Sequence, residues 1–227
     1  IKSEEIVIGT ATSGIFSTVN GAFSKVGKMG TDGTYTAGSS FQGATASVYG
    51  TMNTVDTAGG NFDGVANSIV GTVNTTKNAN GSLVFGAGNS VSNSYGDVDS
   101  QTISQAAALY QQGKIEEAKQ LLAGAVASSG GAALVIGGAN TVDGASLSQV
   151  VGVSNRLAGT ESTKTKQNLL NGYKNTGSNV SNVSVIGSSN TVSDGSFDIV
   201  IGDNHKLTGA SNTVVLGSSD NEQETTV

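Results

Sequence analysis

The sequence predicts an all-β fold: a parallel β-roll, or solenoid, of about ten coils with a basic repeat of 15 residues. The principal observation is an octet that recurs along the whole chain, such as "VIGSSNTV" at residues 185–192 and "VIGDNHKL" at residues 200–207. The composition agrees, since 33 glycines suit a chain that turns every few residues. Proline is absent, which suits a backbone whose N–H groups are used in ladders between coils.

The octet follows one template: an aliphatic residue, glycine two positions later, a small polar residue three positions after the glycine, and finally Val or Leu. Successive glycines of the template lie 15 residues apart where the repeat is most regular, as for Gly187 and Gly202, and the wider gaps equal this period plus an insertion. We therefore expect one domain, residues 1–227, with a single repeat register. The template glycines are Gly9, Gly21, Gly50, Gly71, Gly86, Gly137, Gly152, Gly187, Gly202 and Gly217.

The strand before each template glycine is apolar on both faces, as in "LVI" at residues 134–136 and "IVI" at residues 199–201. Successive side chains of a strand point to opposite faces, so the middle residue faces one way and its neighbours the other. One face can pack inside its own coil, whereas the other has no partner in the chain and would remain a large exposed apolar stripe. The sequence therefore predicts an obligate oligomer in which copies of the chain cover this stripe.

The second half of the octet predicts a short strand that carries an asparagine ladder, because amides stacked in register can hydrogen-bond along a solenoid. His205, the only histidine, occupies the ladder position next to Asp203. We interpret it as a ladder substitute and not as a metal ligand, because no further ligands cluster near it in the sequence. The asparagines at this position are Asn53, Asn74, Asn89, Asn140, Asn155 and Asn190.

Composition and motifs narrow the possible functions. A net charge of −6 with a single arginine, Arg156, argues against nucleic-acid binding, which needs a basic surface. The chain has no cysteine, and it contains no phosphate-binding loop, serine-elbow or zinc-helix motif. The adjacent Glu116 and Glu117 diverge on a helix and cannot act as a catalytic pair. We therefore predict a protein that is not an enzyme, has no cofactor and binds no metal.

Four insertions separate the copies, at residues 27–46, 56–66, 92–131 and 158–182. Each follows an asparagine strand and precedes the next glycine strand, so all should leave the roll at one corner, and displayed loops are where binding usually occurs. The segment "NLLNGYKN" at residues 168–175 is the preferred contact, because it is apolar and framed by polar turn residues. The alternative is that most insertion side chains fold back over the roll. Candidate ligand-binding residues are Tyr35, Phe41, Phe62, Leu169, Leu170 and Tyr173.

The longest insertion, residues 92–131, has structure of its own. Apolar residues recur at helical spacing on both sides of Gly113, which predicts two helices with a turn between them. We expect a helical hairpin that packs on the flank of the roll, and direct contact with a receptor is the alternative.

Repeats such as "SNVSVIGSSNTV" and "SNTVVLGSSDN" resemble those of the YadA-like head domains of trimeric autotransporter adhesins, whose repeats carry an S-V-x-I-G core. The resemblance covers residues 5–221 and implies a left-handed parallel β-roll, a homotrimer around one axis and display on the bacterial cell surface. It implies that the stalk and the outer-membrane anchor, through which alone the protein would meet the membrane, lie outside these residues. It also implies a host protein as partner: a matrix protein such as collagen or fibronectin, or a receptor of the carcinoembryonic-antigen group (CEACAM).

The leading hypothesis is therefore the head of a virulence-associated adhesin that binds host cell-surface or matrix proteins. The alternative is a trimeric glycan-binding or glycan-degrading spike of the phage-tail type, which needs paired carboxylates in a groove, and the template positions offer no regular acid pair. An ice-binding solenoid needs a regular threonine array. Lys25, Arg156 and Lys206 interrupt the column after the ladder position, which speaks against such an array.

Overall fold

The computed structural model describes residues 11–12, 14, 16–30, 34–36, 42–58, 63–94, 100–129, 132–160 and 165–225. These residues form short strands and two helices, α1 (Ser100–Gln111) and α2 (Ile115–Ser129). The strands are β1 (Ala11–Thr12), β2 (Thr18–Asn20), β3 (Lys25–Met29), β4 (Tyr35–Thr36), β5 (Ser47–Thr51), β6 (Thr54–Asp56), β7 (Ser68–Thr72), β8 (Thr75–Ala79), β9 (Leu83–Ala87), β10 (Ser90–Ser94), β11 (Ala133–Gly138), β12 (Thr141–Asp143), β13 (Ala145–Ser146), β14 (Ser148–Val153), β15 (Arg156–Ala158), β16 (Thr165–Lys166), β17 (Leu169–Tyr173), β18 (Thr176–Ser178), β19 (Ser184–Ser188), β20 (Thr191–Ser193), β21 (Ile199–Asp203), β22 (His205–Thr208), β23 (Val214–Leu216) and β24 (Gln223–Thr225).

One sheet consists of the strands that lead into the template glycines, and we call it the glycine sheet. Its ten strands are parallel and follow the order β2-β5-β7-β9-β11-β14-β17-β19-β21-β23. The register aligns the repeats, so that Gly137 pairs with Gly86 on one side and with Gly152 on the other. The period read from the sequence is therefore the period of the stack.

A second sheet, the asparagine sheet, consists of the strands that follow the ladder residues. It has the order β1-β3-β6-β8-β10-β12-β15-β18-β20-β22-β24, all parallel, and β4 pairs antiparallel with β3 at its edge. The chain passes from one sheet to the other in every repeat. We call each repeat a rung and name it by its template glycine. The predicted all-β, solenoid-like class is confirmed.

A short third side closes each rung in the C-terminal half. Strands β13 and β16 pair there, and single bridges continue the ladder from Lys166 through Ser181 and Ser196 to Ser211. The chain returns along this side from the asparagine sheet to the next glycine sheet strand.

The core lies between the two sheets, and its large side chains come mainly from one position in each strand, with smaller contributions from residues such as Ala133, Ala145 and Val183. In the glycine sheet it is the residue two positions before the template glycine, such as Val135, which is fully buried. In the asparagine sheet it is the residue two positions after the ladder residue, such as Val142. Each such side chain contributes about 1.5–3 kcal/mol by its removal from water. The fully buried members are Val26, Val48, Val55, Ile69, Val84, Val91, Val135, Val142, Val150, Leu157, Leu170, Val185, Val192, Val200 and Leu207.

The predicted insertion at residues 158–182 is wrong, because most of it is a further rung. Residues 169–173 form β17, which pairs with β14 on one side and with β19 on the other. Gly172 takes the place of a template glycine, and Asn175 takes the ladder position. The octet at residues 170–177 does not match the template, because Gly177 stands where Val or Leu is expected. The true insertion here is five residues, since Gly152 and Gly172 are 20 positions apart instead of 15.

The other insertions leave the roll from its third side, which agrees with the predicted common corner. The insertion that follows β3 begins with a short antiparallel pairing to β4, and the longest one follows Ser94 and returns at Ala132. The predicted helical hairpin is confirmed as α1 and α2, with Gly113 at a φ of 75° in the turn. Its predicted packing on the roll is not observed, since among the described residues the only extensive contact of either helix is with the other helix.

The template glycines are irreplaceable for two separable reasons, conformation and space. In the described rungs, from Gly21 to Gly217, their φ angles lie between 117° and 139°, a region that other residues avoid. A Cβ atom on Gly187 would also lie 1.8 Å from the carbonyl oxygen of Gly202 in the next rung. We expect Gly187→Ala to lower the free energy of unfolding by roughly 3 kcal/mol or more. Urea denaturation followed by circular dichroism measures this.

Gly217→Ala is the matched control. Its φ of 129° is similar, but no atom lies within 4 Å of the place that its Cβ would take, so only conformational strain of about 1–3 kcal/mol is added. If both variants lose the same free energy of unfolding, the steric clash between neighbouring rungs does not contribute to the loss in Gly187→Ala.

Candidate functional site

A buried ladder of asparagine amides runs through the bend of the rungs. The side-chain Nδ2 of Asn155 donates to Oδ1 of Asn140 at 3.1 Å and to the carbonyl of Gly172 at 2.9 Å. The backbone N–H of Asn155 donates to the same Asn140 oxygen at 3.0 Å. The predicted ladder is thus confirmed, and the structure adds a member. Its members are Asn53, Asn74, Asn89, Asn140, Asn155, Asn175 and Asn190.

The ladder ends at His205, as its sequence position predicts. The backbone N–H of His205 donates to Oδ1 of Asn190 at 3.0 Å, and its Nε2 lies 2.5 Å from the carbonyl of Gly217. Its Nδ1 is buried without a partner among the described residues. Because the ladder amides are enclosed and bonded to one another, they stabilise the stack and do not form a surface for a ligand.

Asn155→Asp tests the ladder directly. A carboxylate has no donor for the carbonyl of Gly172 or for Oδ1 of Asn140, so we expect a loss of roughly 3–5 kcal/mol at neutral pH. The loss should shrink as the pH falls from about 7 towards 4, because burial raises the pKa of the new carboxyl above its ordinary value near 4 and protonation supplies an O–H donor. Thermal unfolding at pH 7 and pH 4 measures both effects.

Asn212→Asp is the control, since Asn212 is exposed outside the ladder. It should change the melting temperature little at either pH. A similar loss for both variants would mean that added negative charge, and not the ladder, is responsible.

The described members of the predicted ligand-binding set do not form one loop surface. Tyr35 folds back on the roll, since a Cβ atom on Gly27 would lie 2.4 Å from its ring. Leu170 is wrong as a contact residue, because it is fully buried in the core. Leu169 and Tyr173 lie on the glycine sheet, and the ammonium of Lys174 is 5.0 Å from the centroid of the Tyr173 ring. Phe41 and Phe62 lie outside the described residues.

The outer face of the glycine sheet is the most extensive apolar surface of the described residues. We use this name for the side chains one and three positions before each template glycine. Ile136 and Ile201, which flank the buried middle residues, are 39% and 41% exposed. None of these side chains is charged in the described strands. The exposed large members are Tyr49, Val70, Leu83, Phe85, Ile136, Ile186, Ile199, Ile201, Val214 and Leu216.

Sequence reasoning missed a second set of apolar side chains, at the bends. Phe23, Met52 and Val73 stand two positions after template glycines and are 44–52% exposed. The signal in the sequence was their constant offset from the glycine, which the template treated as a variable position. The tip of the helical hairpin was also missed, where Tyr110 and Ile115 are 55% and 50% exposed.

Some charged groups in the described residues make local contacts. The hydroxyl of Ser218 and the backbone N–H of Ser188 hydrogen-bond to the carboxylate of Asp203 and lower its pKa, and nearby His205 adds a smaller contribution. Glu116 lies 2.8 Å from Lys119, as expected for a solvated helix face. The described residues contain no group of three or more potential ligands that could hold a metal ion. No helix in the described part of the chain is long and apolar enough to span a membrane.

Comparison with known proteins gave no match to a protein-family model, to a curated protein or to a solved structure. Two surfaces therefore remain as candidates on geometry alone. One is the outer face of the glycine sheet, which is uncharged and carries an apolar side chain in every strand from β5 to β23. The other is the set of insertions on the third side, of which the helical hairpin is the best described.

Proposed function

We propose that this chain is the head of a bacterial surface adhesin, a left-handed parallel β-roll that assembles as a homotrimer and binds host proteins. The observation that carries the proposal is the outer face of the glycine sheet, because a soluble monomer does not keep a continuous apolar stripe of this length in water. Three copies with this face turned towards a common axis would cover it. Their third sides, with the insertions, would then remain accessible.

Binding is assigned to the insertions and not to chemistry in a pocket. Loops on a stiff scaffold are the usual carriers of recognition, and a trimer would present each of them three times. The tip of the helical hairpin is the best anchor among the described insertion residues, since Tyr110 and Ile115 are large, exposed and adjacent across the turn. The partner is a host surface protein, either of the CEACAM type or a matrix protein of the collagen or fibronectin type. The head would be displayed outside the outer membrane.

The assembly is tested on the outer face of the glycine sheet. Ile136→Asp combined with Ile201→Asp places carboxylates on this face and leaves the buried Val135 and Val200 untouched. We expect the trimer to dissociate or not to form, because a buried interface does not tolerate unpaired charge. Sedimentation velocity measures the oligomeric state.

Thr141→Asp combined with Thr191→Asp is the control on the opposite, asparagine sheet, where both side chains are half-buried. This variant should remain a trimer. A folded monomer from the unchanged chain would exclude the proposed assembly.

The role of the hairpin is tested by excision. Ser94 and Ala132 both hydrogen-bond to Asn80 of the preceding rung, from its two sides, so one residue is enough to join them. Replacing residues 95–131 with a single serine produces the spacing of the regular rungs. We expect a folded trimer whose binding to its host protein is lost. Surface plasmon resonance against CEACAM ectodomains, collagen and fibronectin measures this.

Tyr110→Ala combined with Ile115→Ala narrows the test to the tip of the hairpin. This variant should weaken binding by at least about tenfold, as expected for removal of an interface anchor. Gln120→Ala, on an exposed position of α2, is the matched control and should bind normally. Full binding after excision of the hairpin would assign recognition to another insertion or to the roll.

A further inference from the structure

The apolar stripe of the molecule does not run straight along the stack. In the N-terminal rungs it is displaced towards the bend, where Phe23, Met52 and Val73 are 44%, 52% and 52% exposed. The residues three positions before the template glycine in these same rungs are polar, as Ser47 and Ser68 show. The N-terminal part of the stripe thus lies between the middle of the glycine sheet and its bend edge.

In the C-terminal rungs the stripe extends towards the opposite edge, and Ile201 and Leu216, one position before their glycines, remain part of it. Ile199 and Val214, three positions before their template glycines, are 42% and 62% exposed. Phe197, five positions before Gly202 and at the corner where the glycine strand begins, is 60% exposed. The bend positions here are polar, with Ser189 and Asn204 in place of the N-terminal Met and Val.

The central rungs connect these two ends. Leu83 with Phe85, and Leu134 with Ile136, carry apolar residues at both outer positions of the strand. Three rungs depart from this order. Phe16 and Leu147 lie at the leading corner, where the glycine strand begins, and are 73% and 48% exposed. Ser184, three positions before Gly187, is polar. Between the first three rungs and the last two, the centre of the stripe moves by two to three residues, roughly 8 Å, over a stack of about 43 Å. This displacement corresponds to an inclination of about 10°.

The bulky corner residues occupy an unfavourable backbone conformation. Met52, Val73 and Phe197 have φ angles of 57°, in the left-handed region that costs about 1–2 kcal/mol per residue for a side chain with a Cβ atom. Gly88 and Asn204 occupy the same bend position in other rungs and suit it better. Exposure of a large apolar side chain in a strained conformation is unfavourable in a free chain. Burial of that side chain against a partner would offset the cost.

We propose that copies of this chain pack with their long axes inclined to one another, so that the surface facing the neighbouring copy moves from the bend corner at the N-terminal end to the leading corner at the C-terminal end. The inference rests on the homotrimer proposed above and adds its geometry. A second copy is the fitting occupant, because a stripe of ten strands spaced about 4.8 Å apart is matched along its whole length by a surface of the same length and spacing. The stripe also has a projected area of roughly 600 Å², near the ~800 Å² per partner of a stable interface.

The inclination is tested with single cysteines, because the chain has none of its own. Met52→Cys and Ser189→Cys occupy the same bend column near opposite ends, and both positions are exposed in the single chain. Phe197→Cys and Ala66→Cys form the corresponding pair in the leading-corner column, and both are also exposed. The rate of maleimide labelling is measured on each native variant and again after unfolding in urea, and sedimentation velocity reports the oligomeric state of the same samples.

We expect native labelling at positions 52 and 197 to be slower by roughly tenfold or more than at positions 189 and 66, since an interface core excludes water and its rim does not. All four rates should agree after unfolding. Equal protection of positions 52 and 189 in a trimer would mean that the copies pack in parallel, which overturns the inclination and leaves the homotrimer intact. Fast labelling at all four positions in a monomer would overturn both proposals.

Discussion

The stack depends on one interaction, the hydrogen bond from an asparagine side chain to the carbonyl of a template glycine in the next rung. The bend at each template glycine turns its carbonyl along the stack, where the neighbouring glycine has no side chain to obstruct it. An unpaired carbonyl at this depth would cost about 1–3 kcal/mol. The asparagine amide of the preceding rung binds it, at 2.7 Å for Asn175 and Gly187, and also bonds to the asparagine before it. Register, spacing and direction of the rungs all follow from this repeated contact.

The same contact explains where the chain can vary. The segment from the core residue of the glycine strand to the ladder residue cannot change in length, because each added residue would separate the amide from its carbonyl. In the described residues the third side carries short pairings such as β13 with β16, and the chain inserts a short hairpin and a helix pair there. Loop closure cost rises slowly with length, so such insertions disturb the stack little. The bend of each rung is therefore fixed in length and holds the stack together, whereas the third side can vary in length.

A narrow interior limits what one chain can stabilise alone. Most rungs bury two large aliphatic side chains between their sheets, for example Val135 with Val142, and residues such as Ala145 and Val183 add to them. The apolar residues on the outer face, Ile136 among them, remain partly exposed in the described part of the chain. In the proposed homotrimer, the outer face of the glycine sheet would be buried against the neighbouring copies. The inclination of the stripe would then determine how the copies meet.

Much of this fold was determined by the sequence itself. The 15-residue period, the ladder from Asn53 to Asn190 and the helix pair around Gly113 could be read directly, because each rests on contacts between equivalent positions or on local helical spacing. The rung of Gly172 was missed, since a sequence template treats Gly177 as a mismatch, whereas the backbone ladder accepts it and neighbouring Leu157 and Leu170 fill the space.

Only the tertiary structure decided which way the two-faced strands point. The pattern at residues 134–136 is apolar at every position, so alternation alone cannot say whether Val135 or Ile136 enters the core. The structure also shows that Leu170, predicted on a loop surface, lies in the core, and that the Tyr35 ring packs against Gly27. Whether such a side chain is buried depends on the position of the neighbouring rungs. The sequence of one octet does not specify that position.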